Sequence, residues 1–267
     1  MSPTDPSKAL ASLLKKLSSR YPDAAPEPLG AGVEEGVDPL LHLYVYSFLL
    51  WDATSGQARA ALKRLRDNFV DFNELRVAFA DEIAASFGER YPRGYERALR
   101  LRSSLHDIFN REHALTLGRI AELSKREARG YLESLDGTPA YVASRVFLLG
   151  LGGHAIPVDQ RIADLLAEEA VLSDDVTDAD SAASWLERHV RAGEASHTAT
   201  ILQAWSDDEG AMPKRDRRAD APDFSPPEIP PPVQLESPEA AKTAKTAKRA
   251  SKKKKPVKKS KGASSKS

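Results

Sequence analysis

The 267-residue chain contains no cysteine. Disulfides, cysteine nucleophiles and iron–sulfur clusters held by thiolates are therefore excluded. The most apolar run, LLHLYVYSFLLW after Pro39, has about twelve residues, whereas a helix needs about 20 to cross a bilayer. We therefore expect a buried core helix there, and a protein that does not span a membrane.

The sequence also lacks long alternation of apolar and polar residues, and no repeat of 20–50 residues is visible. Apolar residues instead recur at helical spacing, which predicts an all-α fold with an early helix over residues 40–50 and a last helix over residues 198–205. Five of the six histidines are scattered along the chain without a pair at the spacing of metal ligands on a helix, so we predict no metal site. These are His106, His113, His154, His189 and His197.

A zero net charge conceals two regions of opposite charge. Residues 239–267 contain eleven lysines, one arginine and one glutamate, a net charge of +11, so residues 1–238 carry −11. The lysine-rich composition of residues 239–267 cannot form a core. It resembles the lysine-rich tails of linker histones and of some bacterial nucleoid proteins. The resemblance implies DNA binding that is independent of sequence and weakened by salt. The lysines assigned to it are Lys252, Lys253, Lys254, Lys255, Lys258 and Lys259.

Composition divides the chain into four parts. We predict an N-terminal helix with a flexible lead-in over residues 1–37, a helical domain over 38–210, a proline-rich linker over 211–238 and a disordered tail over 239–267. Three other roles for the tail stay open: solubilisation, binding of a polyanion other than DNA, and contact with the acidic domain.

A glycine turn joins two helical patterns. One pattern ends at Leu135, Asp136-Gly137-Thr138-Pro139 supplies turn residues, and an apolar helical pattern resumes at Ala140. A helix-hairpin-helix of this kind can bind DNA because successive backbone amides point outward and hold a phosphate oxygen. An ordinary turn between helices is the alternative.

An aspartate opens the next helix. Val158-Asp159 precede Ile162 and Leu165, which share one helical face. A carboxylate in this place can activate water as a general base or stabilise positive charge on a sugar. It can equally serve as a helix N-cap, accepting a hydrogen bond from the first turn.

The order of these parts resembles the helix-hairpin-helix (HhH-GPD) DNA glycosylases of the endonuclease III type, over about residues 38–206. The matching positions are Leu135, Gly137, Tyr141, Ala143 and the pair Val158-Asp159. The resemblance implies a two-lobed helical fold and a DNA glycosylase of base-excision repair. It also implies that Asp159 is the essential carboxylate and that the hairpin binds DNA through Gly137, Thr138 and Pro139.

The departures from that family refine the prediction. Tyr141 stands where the family has a catalytic lysine, and a phenol cannot form a Schiff base, so we expect a monofunctional glycosylase without AP-lyase activity. Pro139 replaces a glycine and has no amide hydrogen, and Asp136 adds a negative charge. With no cysteine, an iron–sulfur cluster is absent, and we expect no cofactor. The alternative is a non-catalytic DNA-binding or nucleoid-associated protein with a degenerate glycosylase fold.

Two further groups have alternative interpretations. An arginine cluster either faces phosphates or forms a solvated helix face, and three aromatic residues either line a base pocket or belong to the core. We expect a cytoplasmic, nucleoid-associated monomer whose partner is DNA. The arginines are Arg90, Arg93, Arg97, Arg100 and Arg102, and the aromatic residues are Tyr44, Tyr46 and Trp51.

Overall fold

The computed structural model describes residues 6–33, 35–173, 175–176 and 178–210. Within these ranges the chain is helical and contains no strand, which confirms the predicted all-α class. The linker and tail predicted for residues 211–267, with the six lysines between Lys252 and Lys259, lie outside the described residues. The helices are α1 (Pro6–Arg20), α2 (Pro39–Leu50), α3 (Ser55–Asn68), α4 (Phe72–Val77), α5 (Ala80–Phe87), α6 (Gly94–Glu112), α7 (Lys125–Glu133), α8 (Ala140–Leu149), α9 (Gln160–Glu168), α10 (Ala179–His189) and α11 (Ala195–Glu209).

Helix α2 is the centre of a first lobe formed by α2–α8. It is apolar on every side and packs against α3, α6 and α8. A helix that is hydrophobic all round is stable only when it is surrounded. Asp38 fixes its start, because its carboxylate accepts the Leu40 N–H at 2.8 Å and the Leu117 N–H at 2.6 Å. The predicted core helix at residues 40–50 is therefore confirmed.

A second lobe consists of α1, α9, α10 and α11. Helix α11 packs against α1, α9 and α8, so it joins the two ends of the described chain to the first lobe. The start of α10 is capped by Asp178, whose carboxylate accepts the Ser181 N–H at 2.7 Å. None of the helices in the described ranges is long and apolar enough to cross a membrane.

The arginine cluster does not form one exposed face. Arg97 is fully buried, and its guanidinium donates to the carbonyls of Phe48 and Trp51 at the end of α2. Both sequence interpretations are wrong for this residue, because it neither meets solvent nor is free to reach a phosphate. It satisfies carbonyl groups that the end of a helix leaves without partners.

Candidate functional site

The hairpin between α7 and α8 is seated directly on α6. Gly137 has φ +73°, and a Cβ at this position would lie 2.8 Å from the Arg100 carbonyl oxygen and 3.1 Å from the Arg100 Cα. A side chain here would be strained by the backbone angle and would collide with backbone that cannot move aside. Only glycine fits, so the turn chemistry seen in the sequence serves a close contact between helices.

Two amides of the hairpin are already bound inside the protein. The Thr138 N–H donates to the Leu135 carbonyl at 3.2 Å, and the Asp136 N–H donates to the Asp107 carboxylate at 2.9 Å. Pro139 has no N–H to offer. The Gly137 amide, in contrast, makes no hydrogen bond to another described residue. The turn therefore leaves a single amide without an internal partner, and Gly137 is itself buried, whereas a phosphate site of this kind needs successive outward amides.

The side chains of the hairpin are held as firmly as its backbone. The Thr138 hydroxyl is hydrogen-bonded to the hydroxyl of Tyr44, which is fully buried on α2. The Asp136 carboxylate accepts a hydrogen bond from the Ser103 hydroxyl on α6. Tyr44 thus belongs to the core beneath the hairpin.

A cleft of about 400 Å³ lies between the lobes and brings together the residues that the sequence singled out. The cleft is lined by the hairpin, by the first turn of α8, and by the starts of α6, α9 and α10. Trp51 lines this cleft, while Tyr46 lines a separate cavity. The residues that matter for chemistry are Asp52, Arg93, Thr138, Pro139, Tyr141 and Asp159.

Asp159 is both a helix cap and a cleft residue. One carboxylate oxygen, Oδ1, accepts the Ile162 N–H at 3.0 Å, and the other, Oδ2, accepts the Asp52 N–H at 3.0 Å. The residue is only 1% exposed. Burial and the neighbouring Asp52 carboxylate raise the pKa of Asp159 to about 7. A group with such a pKa can take up or release a proton near neutral pH, as a general acid or base must.

Tyr141 cannot replace the carboxylate chemically. Its ring is buried, and its hydroxyl donates to the Gln203 side-chain carbonyl at 3.0 Å on α11. Burial raises the pKa of the Tyr141 phenol far above its usual range, so the phenol stays neutral. The ring also lines a second cavity of about 270 Å³, which Tyr46 and Arg145 border. Tyr141 therefore stands between the cleft and this cavity.

Sequence reasoning missed Asp52, which lies between α2 and α3. The residue is 1% exposed and has φ +52°, in the left-handed region. Its carboxylate accepts the Gln160 N–H at 3.0 Å and pairs with Arg93 at 2.7 Å. The available signal was a charged residue directly after a long apolar run, at a helix end where the polar groups must find partners.

Two buried arginines hold the loop that carries Asp52. Arg97 binds the Trp51 carbonyl from the first lobe, as described above. Arg161, on α9 in the second lobe, donates to the Ala53 carbonyl at 2.7 Å and to the Ser206 carbonyl. Because arginines of both lobes donate hydrogen bonds to this loop, the position of Asp52 is fixed relative to Asp159.

No protein-family model matches the chain, and no curated protein matches its sequence. Solved structures do match its fold. A trapped covalent endonuclease III–DNA intermediate has a TM-score of 0.56 at 15% identity, covering 74% of this chain and 85% of that one. A non-covalent endonuclease III–DNA complex has a TM-score of 0.55 at 14% identity, covering 82% and 92%.

A third match is the Clostridium acetobutylicum 8-oxoguanine glycosylase/lyase bound to double-stranded DNA, with a TM-score of 0.53 at 14% identity, covering 75% of this chain and 68% of that one. At such low identity the likeness concerns the fold. It agrees with the helical class, the two lobes and the hairpin that the sequence predicted. The chain therefore has the fold of the helix-hairpin-helix DNA glycosylases, the fold of endonuclease III.

Proposed function

We propose that the protein is a monofunctional DNA N-glycosylase of base-excision repair, without AP-lyase activity and without a metal or other cofactor. The observation that carries this proposal is the position of Asp159. Its carboxylate lies at the cleft between the lobes, beside the hairpin, and has a pKa of about 7. The similarity in fold to endonuclease III and 8-oxoguanine glycosylase supports it.

In the proposed reaction the damaged nucleotide leaves the DNA stack and enters the cleft. Leaving the stack costs a few kcal/mol, which contacts in the cleft offset. Water then attacks the sugar C1′, the N-glycosidic bond breaks, and the electrons of that bond leave with the base. Asp159 accepts the proton of the attacking water and stabilises the positive charge that develops on the sugar. Tyr141 forms no covalent intermediate, because its phenol cannot make a Schiff base.

The lysine-rich tail would supply the affinity for DNA that the hairpin offers only weakly. Residues 1–238 carry a net charge of −11, whereas residues 239–267 carry +11. A basic segment in the same chain raises the local concentration of DNA around the protein. In this proposal the protein is a cytoplasmic, nucleoid-associated monomer that holds DNA mainly through its tail, at Lys252–Lys255, Lys258 and Lys259, and secondarily through Gly137 and its neighbours.

A second function is favoured by one observation. Both carboxylate oxygens of Asp159 are bound by backbone amides, and the residue is almost completely buried. An aspartate in this state can be purely structural. The protein would then be a DNA-binding or nucleoid-associated protein that keeps the glycosylase fold without the activity.

Single-turnover base release distinguishes the two functions. The substrates are duplexes that carry uracil, a thymine–guanine mismatch, 8-oxoguanine opposite adenine, or alkylated bases. The proteins are the intact chain, residues 1–238, Asp159→Asn and the matched control Asp67→Asn, whose aspartate is exposed in the last turn of α3.

For a glycosylase we expect one duplex to lose its base without strand cleavage. Asp159→Asn should slow release by about 100-fold or more, the usual contribution of a general base, and Asp67→Asn should match the intact chain. Salt-sensitive binding with no release from any duplex would contradict the enzymatic proposal and favour the second function.

A further inference from the structure

Hydrogen bonds connect Asp52 with Asp159 and with the residue that follows Asp159. The backbone N–H of Asp52 donates to Oδ2 of Asp159 at 3.0 Å. In return, the carboxylate of Asp52 accepts the N–H of Gln160, the first residue of α9, at 3.0 Å. The Asp159 carboxylate accepts the Ile162 N–H in the same turn. Two carboxylates thus share the amides at one helix start, although one carboxylate is enough to cap a helix.

Asp52 makes these contacts from an unusual backbone conformation. Its φ of +52° lies in the left-handed region, which few residues other than glycine, asparagine and aspartate adopt. The loop is held in place by carbonyl contacts to Arg97 and Arg161, and the Asp52 carboxylate is paired with Arg93. Arg93 in turn pairs with Glu96 and lies 4.3 Å over the Trp51 ring. A buried carboxylate at a cleft, with a left-handed backbone angle and held from several sides, is typical of a functional site.

We propose that Asp52 is a positioning residue for Asp159: its amide and its carboxylate together fix the Asp159 carboxylate at the cleft and place a second negative charge beside it. The proposal rests on the function proposed for Asp159. It assigns to Asp52 no contact with the substrate. Its physical basis is that a second negative charge, buried beside Asp159, favours the protonated form of the catalytic group.

Other charged and titratable groups near Asp159 act in both directions. Arg161 on α9 favours the charged form of Asp159, whereas burial and Asp52 favour the neutral form. Tyr141 on α8 is neutral, and Arg93 at the start of α6 offsets part of the charge of Asp52. Asp178 and Asp180 at the start of α10 add negative charge to the rim of the cleft. Among these groups, Asp52 is the carboxylate whose own amide holds Asp159, which makes its removal the most direct test.

The test is the titration of Asp159 in the intact chain and in Asp52→Asn. Asparagine tolerates a positive φ and keeps an oxygen that can accept the Gln160 N–H, while it removes the negative charge. The carboxyl carbon of Asp159 is followed by ¹³C NMR and assigned by its absence in Asp159→Asn. The matched control is Asp67→Asn. A second variant, Asp52→Gly, also tolerates the backbone angle and keeps the amide, and it is measured in the same way.

We expect the pKa of Asp159 to fall by about one unit in Asp52→Asn and in Asp52→Gly, the size of a close charge effect, and to stay unchanged in Asp67→Asn. If the chain releases a base, the rate at pH 6 should rise from about a tenth to about a half of its plateau value in Asp52→Asn, as a fall of one pKa unit requires. A purely structural Asp52 would lower stability without moving the titration of Asp159.

An Asp159 titration that is the same in the intact chain and in both folded variants would overturn the proposal. The NMR measurement needs no DNA and no activity. A chain that releases no base would therefore contradict the proposed function. The titration of Asp159 would still decide whether Asp52 is its positioning residue.

Discussion

Two turns of this molecule begin helices beside the same cleft, and they are stabilised in different ways. The hairpin before α8 is fixed by shape: Gly137 lies against the Arg100 backbone, and the Thr138 hydroxyl meets the buried hydroxyl of Tyr44. The turn before α9 is fixed by charge, through the carboxylates of Asp159 and Asp52. The hairpin serves mainly as a joint between helices, whereas the second turn concentrates ionisable groups in a buried position.

The difference between the two turns shows which of them can take part in proton transfer. A turn that is fixed by packing alone has few groups that can gain or lose a proton. A turn held by buried carboxylates stores an unfavourable charge that can be used in proton transfer. The comparison therefore predicts that pH acts on the second turn and that side-chain size acts on the first.

The largest expected effect concerns stability as a function of pH. The pKa of Asp159 is raised to about 7 in the folded protein, above its usual value of 3.8. Its favourable contribution is fully present below about pH 4 and is lost as the pH rises through about 7. Relative to Asp159→Asn, the intact chain should lose up to roughly 4 kcal/mol of unfolding free energy over this interval, since each unit is worth about 1.4 kcal/mol.

Urea unfolding of both proteins from pH 4.5 to 8 measures this difference. Asp67→Asn is the control, and its difference from the intact chain should stay constant with pH. A constant difference between the intact chain and Asp159→Asn would show that Asp159 is charged throughout, and the contrast between the two turns would fail.

The hairpin should respond to a single added methyl group. Gly137→Ala forces a side chain into a left-handed angle and against the Arg100 backbone, so we expect a loss of about 2–3 kcal/mol. The matched control is Gly130→Ala in α7, where an added Cβ meets nothing within 4 Å. The control should gain up to about 1 kcal/mol, because alanine has the higher helix propensity.

Denaturant unfolding at one pH measures both glycine variants. Equal stabilities for the two would mean that the hairpin is loosely seated on α6, in contradiction to its fixation by shape.

A smaller effect is expected from the hydroxyl pair beneath the hairpin. Tyr44→Phe removes the partner of the Thr138 hydroxyl and should cost about 1 kcal/mol, a typical net value for a buried hydrogen bond. Tyr46→Phe is the control, because the Tyr46 hydroxyl makes no hydrogen bond to a described residue. Thermal unfolding should separate the two variants, and identical midpoints would show that the contact contributes nothing.

Much of the fold was predictable because apolar periodicity is a local property. The spacing around residues 40–50 and the residues after Asp159 placed α2 and α9, and Asp159 itself was recognised as a possible cap. Helix α10 was missed. Its sequence begins with small and polar residues, and the buried face consists of Ala182, Trp185 and Leu186 alone.

The network around the carboxylate could not be predicted from the sequence. Asp52 and Asp159 are more than 100 positions apart, and only tertiary packing brings the amide of one to the carboxylate of the other. Arg97 illustrates the same limit, since its spacing within an arginine-rich helix suggested an exposed face. Burial of a charged group depends on partners elsewhere in the chain, here the carbonyls at the end of α2.

The most direct measurement is the rate of base release across pH 5.5 to 8.5, under single-turnover conditions, with the duplex that the intact chain processes. If Asp159 acts as its carboxylate, the rate should rise about tenfold per pH unit below about 7 and reach a plateau above it. Asp159→Asn should show neither the rise nor the plateau. A rate that is flat over this range, or a chain that releases no base at any pH, would contradict the role given to Asp159.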